Sequence, residues 1–314
     1  MREFLKEEVD ESLHEFIRTN VFIATRNFMH RLKTFRKEIM TGHNNPMAIE
    51  NWSNKMEFQG RGAAHIHGVA WCNLAKVSEA LNMDINNFNS DDELDSEDES
   101  DNDLDDEDNL YNKCNLEKAF DKLRMDRKLR KEEEEALIAF ADRFTTCTLN
   151  PETAAKMVDE KTSIEEGIKI VQIVKEVQTH YHTKTCKKHS PDCRFGIPRL
   201  PIWKTMLSKP IEGETAEDIS NRKIKHKEVL KVVLKVLEDK EEMAKIWKDF
   251  DKQNETREEY AVNRKKRIFR VLDLVGVSPK CYEAAVREQT RKGVNIILAR
   301  DIDEMFINNY NPEW

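Results

Sequence analysis

Apolar positions near the start of the chain follow a helical spacing. Phe28, Leu32, Phe35 and Ile39 recur every three or four residues, with Arg31, Lys33, Arg36 and Lys37 between them. Residues 4–40 therefore read as two amphipathic helices. Thr41-Gly42-His43-Asn44-Asn45-Pro46 is a loop signal. The period then changes: residues 47–59 and 63–72 read as two strands joined by Gly60-Arg61-Gly62, followed by a short helix near 75–87. Residues 115–143 read as one long charged helix, with a break at Asn150-Pro151. Residues 163–178 read as a helix with Ile164, Ile168, Val171, Val174 and Val177 on one stripe. After a Cys-, His- and Pro-rich loop at 180–203, helix returns over 217–250 through Leu230, Val233, Leu234, Leu237 and Trp247. A basic stretch at 263–270 leads to a small helix at 279–290 and a strand at 294–300. No internal repeat is visible.

Charge changes this picture in one place. The 314 residues carry a net charge of −8 and are 36% charged, well above the usual quarter. Residues 91–108 hold 13 acids and no base, and outside them 52 bases face 47 acids, a net of +5. The acidity is that of one segment and leaves a nucleic-acid partner open. With two leucines in 18 residues, this tract cannot bury enough apolar surface to order itself, so it reads as a disordered, solubilising insertion. No apolar run approaches 18 residues, so neither a membrane span nor a membrane partner is expected. Six cysteines are too few for a disulfide scaffold and turn attention to metals.

Two segments carry candidate chemistry. On the first, alternation puts His65 and His67 on one strand face and Ile66 on the other, while Met56 and Phe58 oppose Glu57 and Gln59 on the preceding strand. If Ile66, Met56 and Phe58 point to a core, two imidazoles and an oxygen donor share the other face. That is a three-ligand open site for a divalent ion, able to polarise a phosphodiester oxygen; the plainer alternative is two surface histidines. On the second, His180, His182, Cys186, His189 and Cys193 fall within 14 residues and offer enough donors for one tetrahedral zinc. The alternative is a surface loop with free thiols. Lys184, Lys187, Lys188, Arg194 and Arg199 nearby suit phosphate contact. Arg264, Lys265, Lys266 and Arg267 read as a nuclear-targeting patch or a contact for single strands, or else as a solvated helix end. Cys72, Cys114, Cys147 and Cys281 read as small hydrophobes.

The run Glu57-Phe58-Gln59-Gly60-Arg61-Gly62-Ala63-Ala64-His65-Ile66-His67, closing on Trp71, resembles the EFQ-x-RG-x-x-H-x-H-x-x-x-W segment of Helitron transposon Rep proteins. These are rolling-circle endonucleases of the His-hydrophobe-His superfamily, and the segment belongs to their Helitron helicase-like domain. Arg26-Asn27-Phe28 to Ile39 resembles the helix before that motif. Gln178 to Cys186 and Cys193 to Arg199 resemble QxHxHTxTC and CRFGFPRP, and Arg300 to Pro312 resembles RDxxExFINNYNP.

The resemblance implies an α+β fold: an incomplete ferredoxin-like antiparallel sheet with covering helices, plus a helical and Cys/His-rich region. It implies Mg²⁺ or Mn²⁺ on His65, His67 and Gln59, with Glu57 as the fallback ligand. It favours His180, His182, Cys186 and Cys193 as the zinc set, with His189 spare. Single-stranded DNA is the implied partner, nicking and strand transfer the implied chemistry of the intact protein, and the nucleus its implied location. The expected organisation is 1–90 (helix and metal hairpin), 91–112 (acidic insertion) and 113–314 (helical and zinc-loop remainder). The family's first strand has no match in residues 1–25. Its nucleophilic tyrosine lies downstream of INNYNP, and Tyr310 within that motif is not read as its equivalent. No G-x-x-x-x-G-K-[ST] occurs, so the helicase module of full-length relatives is expected elsewhere. A segment truncated at both ends and inactive in nicking is the expectation. A non-catalytic zinc and nucleic-acid binding remnant, or a charged interaction protein, are the alternatives.

Overall fold

Ile49–Phe58 (β1) and Ala64–Cys72 (β2) pair antiparallel, with Met56 opposite Ile66, Lys55 opposite His67 and Glu57 opposite His65. The computed structural model describes residues 19–40, 45, 47–58, 64–81, 113–184, 186–188, 192–250, 255–289 and 295–312. The acidic tract, Gln59, His189 and the first expected helix lie outside them. The chain divides into two compact units, Met1–Glu117 and Lys118–Trp314.

In the first unit, Val21–Phe35 (α1) runs into one wider turn at Arg36–Met40 and buries no side chain. The Arg36 guanidinium lies 4.2 Å from the ring centre of Trp52 on β1, a cation–π contact. Leu74–Ala80 (α2) starts at Asn73, whose side chain accepts from the Lys76 amide and donates to Glu50 at 2.9 Å.

The expected long helix at 115–143 is two helices, Asn115–Arg124 (α3) and Lys131–Phe144 (α4). Asp126 takes a left-handed φ of 56° and turns the chain between them. Fully buried Glu133 fastens the restart: it accepts from the Arg130 amide at 2.8 Å and from Lys122 of α3 at 2.9 Å.

Pro151–Val158 (α5) and Ile164–Val177 (α6) pack side by side. Ser163 and Glu166 form a capping box at the start of α6. The helices approach so closely at Gly167 that a Cβ there would lie 2.0 Å from the Pro151 carbonyl oxygen. The buried face of α6 is Gly167, Val171 and Val174, whereas Ile164, Ile168 and Val177 are exposed. The expected stripe is thus buried at Val171 and Val174 only, and the close contact of Gly167 with Pro151 turns the inward face away from Ile164, Ile168 and Val177.

Ala216–Leu237 (α7) and Lys240–Lys248 (α8) are separated by the N-cap Asp239. Arg257–Leu274 (α9) takes in the whole basic stretch 263–270, and Pro279–Arg287 (α10) follows. Val233, Met243, Ile246, Ile268, Val271, Leu272, Tyr282 and Val286 from these helices form the main core with Ile202, Met206 and Ile302. Four short strand pieces complete the described residues of the second unit. Met206–Leu207 (β3) pairs antiparallel with Ile296–Ile297 (β6), and Lys209–Pro210 (β4) pairs parallel with Glu288–Gln289 (β5). The expected strand at 294–300 is therefore reduced to β6 and a single bridge between Arg300 and Ile202. The described residues are mostly helix with three two-stranded sheets, a mixed α and β architecture.

The segment resembling RDxxExFINNYNP is a buried fastener. Arg300 donates to the carbonyls of Glu304 and Ile307 and to the Asn309 side chain. Glu304 accepts from the Leu149 and Asp301 amides and from the Tyr260 hydroxyl. Tyr310 bridges to Thr146 and donates its hydroxyl to Thr148 at 2.7 Å. Buried donors and acceptors paired this completely rigidify the backbone around them. That matters for the site, because the His180 amide bonds Phe306 and the Asn308 amide bonds Gln178.

Candidate metal centre

His180 and His182 sit on the extended segment just after α6, pinned by the His180 amide to the Phe306 carbonyl at 2.8 Å. The chain then turns so that Cys186 lies back under His182. A second turn, closed by Gly196 at φ 65°, presents Cys193. The Arg194 amide bonds the Cys186 carbonyl at 3.0 Å and ties the two turns together.

One ligand atom from each of His180, His182, Cys186 and Cys193 lies within 4.8 Å of the others. The His182 Nδ1–Cys186 Sγ distance is 3.6 Å and His180 Nε2–Cys193 Sγ is 3.4 Å. A tetrahedral zinc with ordinary bond lengths sets its nitrogen and sulfur ligands ~3.5 Å apart. Two nitrogen–sulfur pairs already stand at that spacing and all four donors lie within 4.8 Å of one another, so this group can hold a metal ion.

The protonation tendencies of two donors suit ligation. Burial, then the charges of Lys187 and His180, hold the His182 imidazole below its ordinary value and so in the neutral, ligating form. Burial alone would raise the Cys193 thiol. The Ile197 and Phe195 amides, Cys186 and Lys187 outweigh it and hold the thiol low, toward the thiolate. The Thr183 amide lies 3.3 Å from Cys186 Sγ and orients that ligand. The rings stack edge to face: His180 on His182 at 5.0 Å, His180 on Phe195 at 5.5 Å and His182 on Phe306 at 6.0 Å.

Around the loop, Lys184, Lys187, Lys188 and Arg194 are exposed. The Arg194 guanidinium lies 4.6 Å from the Phe195 ring centre. The second basic stretch is different. Lys265 and Lys266 face solvent, but Arg264 is half-buried and donates to the Trp203 carbonyl at 3.0 Å. Arg267 corrects the sequence reading outright: it is fully buried between Glu255 and Asp301 and holds the fold instead of facing a phosphate. Among the lone cysteines, Cys114 and Cys147 are buried and Cys72 is half-buried, but Cys281 is exposed and is not a core residue.

The hairpin offers less. Glu57 and His67 share a face, with His67 Nε2 at 3.6 Å from the carboxylate. Lys55 also holds that carboxylate, at 3.0 Å. Gln59 and the His65 side chain lie outside the described residues, so only two of the expected donors, Glu57 and His67, are placed together.

The sequence reading gave no binding role to Lys175, Tyr181 and Phe306, the last a position of the RDxxExFINNYNP-like segment, yet all three line a cavity of about 530 Å³ beside the metal group. Tyr181 is 72% exposed. The expectation that no tyrosine of the chain sits in a Tyr-x-x-Lys setting is corrected here, because Tyr181 stands three residues before Lys184. No helix of the described residues is long and apolar enough to cross a membrane. No protein-family model, curated protein or solved structure matches the chain.

Proposed function

We propose that this chain is a zinc-organised, single-stranded-DNA-binding segment of a Helitron-type rolling-circle transposase. The observation that carries the reading is the convergence of His180, His182, Cys186 and Cys193 at zinc-ligand spacing. These four side chains come from a loop with little apolar content, which metal ligation would supply with folding energy. Lys184, Lys187, Lys188 and Arg194 around the loop, with Lys265 and Lys266, would contact phosphates. The motif order, from the His65-x-His67 hairpin to the Arg300–Pro312 segment, supports the family reading.

In the same proposal the hairpin belongs to an incomplete ferredoxin-like sheet. His65, His67 and Gln59, or Glu57 in its place, would hold Mg²⁺ or Mn²⁺, which would polarise a scissile phosphodiester. The His67–Glu57 pairing favours that placement. Nicking belongs to the intact nuclear transposase with its helicase module. Tyr260, Tyr282 and Tyr310 are buried with phenols held above their ordinary value, so none of these three is poised as the nucleophile.

The test is metal analysis joined to DNA binding. Purified chain should carry about one zinc, lose near-ultraviolet circular dichroism on chelation, and bind a labelled single strand more weakly as salt rises. Absence of zinc in the purified chain, with no response to added zinc, would overturn the reading.

A further inference from the structure

We infer that the cavity beside the metal loop is a stacking site for one unpaired base of single-stranded DNA, and that the bound metal holds it in shape. The inference rests on the function proposed above and deepens it.

Three observations lead there. The cavity is about 530 Å³, within the range of small-ligand sites. Its lining includes the apolar Leu149 and Ile307 and the aromatic Phe306 and Tyr181. Phe306 is 40% exposed, whereas its neighbours Met305 and Ile307 are buried. The fold thus turns one aromatic ring outward between two buried neighbours. Flat rings open to solvent are what a nucleobase stacks on, whatever its identity.

Charge selects the partner. Lys175 lines the cavity, and Lys184, Lys187, Lys188 and Arg194 are exposed on the adjoining loop. Phosphates flanking a stacked base would meet these cations. Asp303, the acid in the lining, can accept from a base amino or imino group. An apolar peptide would fill the cavity but leave the cations without a role.

The coupling to metal is geometric. His180 and His182 line the cavity and also turn ring nitrogens toward Cys193 and Cys186. Ligation fixes both imidazoles and, through the His182–Phe306 edge contact, the facing ring. Losing the metal would free the wall on which the base rests.

The test compares two labelled strands of about 12 nucleotides, oligothymidylate and an abasic strand of equal length, on the zinc-loaded full chain by fluorescence anisotropy. Their phosphates are the same; only the bases differ. Thymidylate should bind about tenfold tighter. Phe306→Leu and Tyr181→Leu should each shrink that preference while leaving zinc content and abasic-strand affinity unchanged, and chelation should remove the preference in the parent chain. Tyr181 is exposed, so its variant keeps the test decisive even where Phe306→Leu fails to fold. Equal affinity for both strands, or a preference intact in Tyr181→Leu, overturns the stacking site while leaving charge-driven DNA binding standing. Binding of neither strand overturns both.

Discussion

Nη2 of Arg267 lies 2.5 Å from Oδ2 of Asp301, and neither side chain reaches solvent. The same guanidinium holds Glu255 at 2.6 Å and lies 5.4 Å and 5.3 Å from the ring centres of Trp247 and Phe250. One cation therefore neutralises carboxylates that lie 46 residues apart in sequence. Removing it leaves two buried acids without their shared cation. Arg267→Met should cost about 3–5 kcal/mol of stability. Arg267→Lys should recover only part of that, because one ammonium cannot reproduce the planar fork. Urea unfolding at neutral pH measures both, and an unchanged midpoint in Arg267→Met would show that the network contributes nothing net.

Gly167 is required by contact and not by backbone conformation. Alanine favours helix over glycine by about 1 kcal/mol, so an exposed helical glycine would gain from the change. Here the new methyl would lie 2.0 Å from the Pro151 carbonyl oxygen, and α5 and α6 would have to separate. Gly167→Ala should therefore destabilise by about 1–3 kcal/mol, read as a lowered unfolding midpoint. A raised midpoint would mean that the two helices are not packed as described.

Local rules carried some elements and not others. Alternation of Met56 with Glu57 and of Ile66 with His67 marked the β1–β2 hairpin, and the apolar spacing from Ile164 to Val177 marked α6 as a helix. The metal loop was legible because five His and Cys donors fall within 14 residues, and the resemblance to QxHxHTxTC and CRFGFPRP picked His180, His182, Cys186 and Cys193 from them. The break at Asp126 was not, since helix-forming charged residues stand on both sides of it and the reversal is fixed by the tertiary Lys122–Glu133 contact. Arg267 looked like its solvated neighbours Lys265 and Lys266; what buries it is Asp301, 34 residues away. The cavity was hidden for the same reason, because Leu149, Lys175 and Phe306 meet only in the fold.

Glu133 makes the stability of the second unit dependent on acid. Burial would raise its carboxyl, but the Arg130 amide and the side chains of Lys122 and Arg130 outweigh that and hold it below the ordinary value of 4.5. A depressed folded value means that the contribution is complete above about 4.5 and disappears as pH falls through the folded value. Glu133→Gln should cost about 1–3 kcal/mol at pH 7. The gap between variant and parent should close progressively below pH 4.5, followed by urea midpoints from pH 7 to 3. A gap that stays constant down to pH 3 would remove Glu133 from the account.

Thiol reactivity separates the roles of the cysteines in one measurement. Cys147 is fully buried, and burial reinforced by the Glu304 charge pushes its thiol up to about 12. A neutral, buried thiol is not a nucleophile, so Cys147 should resist a maleimide in the native state whatever the metal content. Cys281 is exposed and should react in every condition. Cys186 and Cys193 face His182 and His180 at 3.6 Å and 3.4 Å, and ligation would occupy their sulfurs. With zinc bound, both should be protected; after chelation, both should be labelled, Cys193 first, because it is the less buried and its thiol is held low. Mass spectrometry of peptides from labelled protein assigns each site. Labelling of Cys186 and Cys193 at the same rate with and without chelator would mean that these sulfurs hold no metal, whatever zinc the preparation contains.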